Sequence, residues 1–112
     1  MKIHKMKLTK TPFEKIKNGG KIIESRLFDE KRQQINIGDR IEFIQNDNLS
    51  QKVTTMVTAL YKYATFKELF SHFPPAYFGG DSKKNLLRGI HQFYSSEEET
   101  RFGVVGIMVK KK

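Results

Sequence analysis

Between Lys17 and Leu27 the chain passes from a helical pattern, through Asn18-Gly19-Gly20, into an extended one, Lys21-Ile22-Ile23-Glu24-Ser25-Arg26-Leu27. This hand-over constrains the fold more than any other segment. The Asn-Gly-Gly run stops a helix, and the apolar residues that follow predict a strand over Lys21–Leu27. Strand side chains alternate faces, so Glu24 and Arg26 share one face while Ile23 and Leu27 take the other. One side of this strand therefore suits a core, and the other gathers opposite charges beside a glycine turn. Such a face is either an exposed strand surface with an ordinary ion pair, worth little, or a small polar site for an anionic or hydrogen-bonding ligand.

The flanking segments supply the rest of a small domain. A weak edge-strand signal runs over Ile3–Leu8. Thr11 and Pro12 read as the N-cap and first residue of a helix, with Glu14 in its first turn and Phe13 and Ile16 facing the core. After a charged connection, Asp29–Gln34, that reads as a helical turn, Ile35–Asp39 turns into a strand over Arg40–Gln45. Asn46-Asp47-Asn48 reads as a hairpin loop, and Gln51–Tyr63, rich in Val, Thr and Tyr, reads as a long strand. Ala64–Phe73 is helical in pattern, with Thr65 and Glu68 spaced as a capping box, and Pro74-Pro75 ends it. Asp81 or Ser82 caps a further helix whose apolar face is Leu86, Leu87, Ile90 and Phe93. Ser95 to Glu99 opens a short acidic helix, and Val104–Lys110 is the last strand. The class is mixed β with helices (α+β), and this order suggests a compact barrel with helical caps.

Length and composition bound the function. The 112 residues suit one domain, read here as residues 1–112 with the first strand inside 1–8 and a basic tail at 110–112. No apolar run approaches the roughly 18 residues of a membrane span, and the basic N-terminus lacks the apolar stretch of a signal peptide. With no cysteine, disulfides, thiolate catalysis and Cys-bound zinc are excluded, and the expected compartment is the cytoplasm. His4, His72 and His91 are far apart in sequence, so no metal site is expected, and no cofactor. The net charge of +9 attracts polyanions, nucleic acid foremost.

Pro12-Phe13-Glu14-Lys15-Ile16, Gly19-Gly20-Lys21-Ile22-Ile23-Glu24-Ser25-Arg26, Asp29-Glu30-Lys31-Arg32 and Ile37-Gly38-Asp39-Arg40-Ile41-Glu42-Phe43 together resemble the ASCH family. Phe93-Tyr94-Ser95, Glu97-Glu98 and Phe102-Gly103-Val104-Val105-Gly106-Ile107 are similar to its C-terminal end. The resemblance covers about Thr9 to Lys110, and the Gly-x-Lys-x-x-Glu-x-Arg element is its most specific part. It implies a PUA-like β-barrel with flanking helices that binds RNA in a cleft lined by Lys21, Glu24 and Arg26. Some relatives are hydrolases: one bacterial group cleaves the acetyl amide of N4-acetylcytidine with a Lys and a Thr on the matching strand, and ribonuclease activity is attributed to another member. Here Glu24 stands where the amidohydrolases carry Thr. A carboxylate activates water or moves a proton but poorly replaces a hydroxyl nucleophile.

The binding reading assigns single-stranded RNA or a nucleotide to Lys21, Glu24 and Arg26, with Arg26 as the bidentate donor and Glu24 as acceptor for a base amino group. Tyr77 and Phe78 are candidates for base stacking. Lys84 and Arg88, four apart on one helix face, and Arg32 are candidates for phosphate. The alternative is a hydrolase acting on a modified nucleoside or on RNA, with Lys21 and Glu24 catalytic and Glu24 raised in pKa by an apolar cleft. The aromatic loop at 74–80 would serve a protein partner in a third reading. The expected state is a monomer or weak dimer.

Overall fold

The computed structural model describes residues 1–112. Its centre is one five-stranded mixed sheet built from β1 (Ile3–Leu8), β2 (Ile23–Leu27), β3 (Arg40–Gln45), β4 (Asn48–Tyr63) and β5 (Val104–Lys111), in the spatial order β1-β3-β4-β5-β2. β1 runs parallel to β3, and every other pairing is antiparallel. The helices are α1 (Lys10–Lys17), α2 (Phe66–Ser71), α3 (Lys83–Ile90) and α4 (Ser96–Phe102), with single 3-10 turns at Arg32–Gln34 and Pro75–Phe78.

The sheet is covered on both faces, and β5 shows how. Val105, Ile107 and Val109 enter one apolar cluster with Phe13 and Ile16 of α1, Ile41 and Phe43 of β3, and Val57 of β4. Val104 points the other way, into a second cluster with Ile23, Leu27 and the α2 residues Phe66, Leu69 and Phe70. A strand buried on both faces reads as a continuous apolar run, which is why Val104–Val109 carries no polar alternation. Gly106 is the close-approach point: a Cβ there would lie 2.8 Å from Leu69 Cδ1 and 3.2 Å from Ile23 Cγ2, so the missing side chain lets α2 lie against the strand.

β4 changes sides along its length. Val57 pairs with Val109 and Ala59 with Met108, leaving Thr58 as an extra residue. This bulge resets the alternation, so that Val57 and Leu60 serve the first cluster while Tyr61 and Tyr63 pack on the second. Together the strands form a half-barrel whose two edges are β1 and β2.

Local boundaries differ from expectation in physically simple ways. α1 begins at Lys10 behind an extended Thr9, because Phe13 N already donates to Thr9 O at 3.1 Å. Pro12 thus falls within the first turn, where its missing N–H has no intrahelical partner to lose, and Glu14 lies past that turn. β4 starts at Asn48, three residues before the expected Gln51, leaving a two-residue hairpin connection. Thr65 caps α2 and Ser82 caps α3, each accepting from a backbone N–H three residues on, and Ser95 forms a full capping box with Glu98. α3 stops at Ile90, so Phe93 does not join its apolar face. Phe93 sits instead in the turn leading to Ser95 and is 69% exposed. Lys110 and Lys111 lie in β5 and Lys112 N donates to Thr54 O at 3.0 Å, so the basic terminus is paired to the sheet.

Candidate functional site

The segment before β2 is fixed by main-chain hydrogen bonds from three directions. Lys21 N donates to Lys15 O at the end of α1, Ile22 N to Tyr77 O in the 3-10 turn, and Val109 N of β5 to Ile22 O, at 2.8 to 3.0 Å. Regular strand geometry therefore begins at Ile23, not at Lys21. This non-strand entry brings Lys21 round to the charged face although it lies an odd number of residues from Glu24. Gly79, at φ +80°, packs where a Cβ would meet the Lys21 side chain at 3.2 Å, and its carbonyl accepts from Lys15 Nζ at 2.6 Å.

Glu24 is 4% exposed and sits between two cations. Its Oε1 lies 2.8 Å from Lys21 Nζ, and its Oε2 accepts from Arg26 Nε at 2.6 Å. Burial pushes the Glu24 carboxyl up, but Lys21 and Arg26 outweigh it and hold the pKa at about 2. Burial likewise pushes the Arg26 guanidinium down, and the Glu24 carboxylate, with a smaller contribution from Tyr94, outweighs it and raises the pKa. Both groups are thus charged at neutral pH, and Glu24 is a weak base. The conditional expectation of a raised Glu24 pKa is overturned, because the cleft supplies two cations as well as apolar walls.

Arg26 also reaches across the mouth of the half-barrel. Its Nη2 donates to the Lys7 carbonyl at 3.1 Å, joining edge strand β2 to edge strand β1. The Lys21–Glu24–Arg26 cluster accordingly lies in the seam where the sheet fails to close. There it lines a cavity of about 400 Å³, walled by Phe70, Phe78 and Tyr94, by the Asn85-Leu86 and Gly89-Ile90 side of α3, and by Lys7, Pro12 and Asn46. Phe93 stands at the same cavity, and Tyr94 stacks on Phe66 at 5.7 Å between ring centroids.

Of the residues singled out from sequence, Lys21, Glu24, Arg26 and Phe78 meet at this cleft, and four others do not. Arg32 lies in the turn after β2 and pairs with Asp29 at 3.3 Å. Tyr77 turns its ring outward, 39% exposed, against Phe73. Lys84 and Arg88 occupy the solvent face of α3, one residue out of phase with Asn85 and Gly89. The helical repeat itself separates those two faces.

Phe93, Asn46 and Lys7 were missed, since each reaches the cleft through a turn or an edge whose place depends on tertiary contacts. The one signal in the sequence was Phe93-Tyr94 standing directly before a helix N-cap, which marks a turn and not a helix face. The three histidines are apart in space as well: His4 Nε2 is 2.9 Å from Asp39, His72 stacks on Tyr63, and His91 Nε2 is 3.2 Å from Glu99. No helix is long and apolar enough to cross a membrane.

Comparison with known proteins gives a consistent result. The family model for the ASCH domain matches residues 6–112. The crystal structure of hypothetical protein PH0355 is 34% identical, with all of both chains covered and a TM-score of 0.87. The solution structure of protein PF0455 from Pyrococcus furiosus is 32% identical, covering 97% of this chain and 96% of that one, with a TM-score of 0.76. A crystal structure of the S128A mutant of an ASCH protein from Zymomonas mobilis, 12% identical, shares the fold at a TM-score of 0.62 over 96% of this chain and 67% of that one. No curated protein is significantly similar to the chain.

Proposed function

The chain belongs to the ASCH family, with a PUA-like fold, and from that membership and its cleft we propose that it binds single-stranded RNA, taking one nucleotide into the seam of the half-barrel. The observation that carries the reading is the pairing of two cations, locked on one buried carboxylate, with an exposed aromatic ring at the same cavity. The cavity volume, about 400 Å³, is in the range of small-ligand sites. In this role Glu24 is a positioning residue. Both its oxygens are engaged, and it holds Lys21 and Arg26 at fixed separation so that their remaining N–H groups face the ligand. Arg26 would donate to phosphate or a base edge through the part of its fork not used by Glu24 and Lys7. Phe93 would stack on the base, as RNA readers stack unpaired bases on aromatic rings.

The ion pairs that occupy both Glu24 oxygens support binding over turnover. A carboxyl held at about 2 is ionised and weakly basic at neutral pH, whereas a general acid or base works best with a pKa near the working pH.

Titration of labelled single-stranded RNA by fluorescence anisotropy at several salt concentrations tests the reading. Saturable binding is expected. Arg26→Ala should weaken it about tenfold or more, the scale of a charge-assisted hydrogen bond, and Arg26→Lys should recover only part, because the planar fork is lost. Phe93→Ala should weaken binding by about 1 to 3 kcal/mol. Absence of saturable binding, or full affinity in Arg26→Ala, would sink the proposal, and release of nucleoside or RNA fragments lost in Glu24→Gln would replace it with the hydrolase reading.

A further inference from the structure

A second depression lies on the other flank of α1. It has a volume of about 570 Å³ and is lined by Lys10, Glu14 and Lys17 of the helix, by Asn48 and Gln51 of β4, and by Lys111 of β5. Its lining is nearly all polar, and the three lysines are exposed. None of the three is in an ion pair, and Lys111 Nζ donates only to the Lys17 carbonyl, at 2.9 Å. Three lysines outside any ion pair share this lining with one acidic residue, Glu14, so the groove has a surplus of positive charge. The cleft differs, because both its floor cations are already in ion pairs, sharing Glu24.

The two depressions are lined by neighbouring residues of the chain. Thr9 lines the cleft and Lys10 the groove; Asn46 lines the cleft and Gln45 the groove. At both places the boundary is one residue step, about 3.8 Å between Cα atoms. A chain leaving the cleft past Thr9 and Asn46 would reach the groove by crossing over the backbone hydrogen bond from Asn46 N to Leu8 O, at 2.8 Å. The groove offers ammonium and amide donors and a single apolar residue, Phe13, with no exposed aromatic ring, which suits a phosphodiester backbone better than a base.

We propose that the groove between α1 and the β3–β4 hairpin, lined by Lys10, Lys17 and Lys111, carries the phosphate backbone of a single-stranded RNA whose neighbouring nucleotide occupies the cleft. The inference rests on the reading of the cleft given above and adds that the ligand is an oligonucleotide of several residues, with a fixed exit path. Cleft contacts then supply selectivity and groove contacts supply salt-dependent affinity.

The test compares 5′-mononucleotides with homopolymeric RNA hexamers of each base, on the wild-type chain and on Lys10→Gln/Lys17→Gln/Lys111→Gln. A second triple variant, Lys31→Gln/Lys62→Gln/Lys67→Gln, removes equal charge elsewhere. The groove variant should weaken hexamer binding, lower the slope of log K against log salt by about 2, at roughly 0.7 per phosphate on a single strand, and leave mononucleotide affinity unchanged. The control variant should keep most of the slope. Equal loss in both triple variants, or equal loss for mononucleotide and hexamer, overturns the groove. A hexamer that depends on the groove but ignores Arg26→Ala upholds the groove and overturns the cleft reading. Failure of every hexamer to bind the wild type overturns both.

Discussion

Glu24 is the residue on which the site turns. A buried carboxylate between two cations is stabilised only while all three charges are present, and removing one partner leaves an uncompensated buried charge. Glu24→Ala should therefore destabilise the fold by about 3 to 5 kcal/mol in urea titrations. Replacing the whole cluster with apolar residues (Lys21→Met/Glu24→Leu/Arg26→Met) should recover most of that stability while abolishing the proposed RNA binding, which would separate that role from folding. Asp39 is a second carboxylate with a structural task. It accepts from Lys2 N and Asn36 N and lies 2.9 Å from His4 Nε2, tying the start of β1 to the turn before β3. The His4 side chain first, and then the Asn36 and Lys2 amides, lower its pKa to about 2. Because the folded value is depressed, its stabilising contribution is complete above the ordinary carboxyl value near 4 and is lost as pH falls towards 2. Asp39→Asn should flatten that part of the acid-unfolding curve, and an unchanged acid transition would exclude this assignment.

At the scale of elements, α2 and β5 meet in a close joint at Gly106. Gly106→Ala would push a methyl against Leu69 and Ile23, at a cost of about 1 to 3 kcal/mol for overpacking. In a Leu69→Ala background the same change should cost less, and a double-mutant cycle reads that coupling directly. The helices themselves were largely legible, because capping is local chemistry: Thr65, Ser82 and Ser95 mark three helix starts that the backbone hydrogen bonds realise. α1 was displaced by two residues because Thr11-Pro12 resembles an N-cap and N1 pair, while the chain had already turned at Thr9. Phe93 was assigned to the face of α3 because its spacing from Ile90 is helical. Nothing at Ile90 itself announces the stop, which comes from the turn needed before Ser95. The Thr58 bulge was equally hidden, since a continuous run of β-formers looks the same with or without an extra residue.

For the whole molecule, the two apolar clusters share β5, whose alternate side chains serve opposite faces. Neither half should persist alone. Phe13→Ala in the first cluster and Phe66→Ala in the second should each lower stability by about 3 to 5 kcal/mol, with far-UV and tyrosine near-UV circular dichroism unfolding in one coincident transition. Separate transitions for the two signals would show that the faces unfold independently.

Sequence by itself determined the strand carrying Glu24 and Arg26, the glycine turn before it, most helix starts, the excess of basic residues and the family. All of these depend on neighbours a few positions apart or on recognisable spacing. Tertiary structure alone decided that β1 and β2, at opposite edges of one sheet, curve until Arg26 of one meets the Lys7 carbonyl of the other. That closure creates the cleft, buries the local Lys21–Glu24–Arg26 cluster in its seam, and leaves Arg32, Tyr77, Lys84 and Arg88 outside. The physical reason is that sheet curvature sums the twist and packing of every strand, so no local segment encodes where its two edges meet.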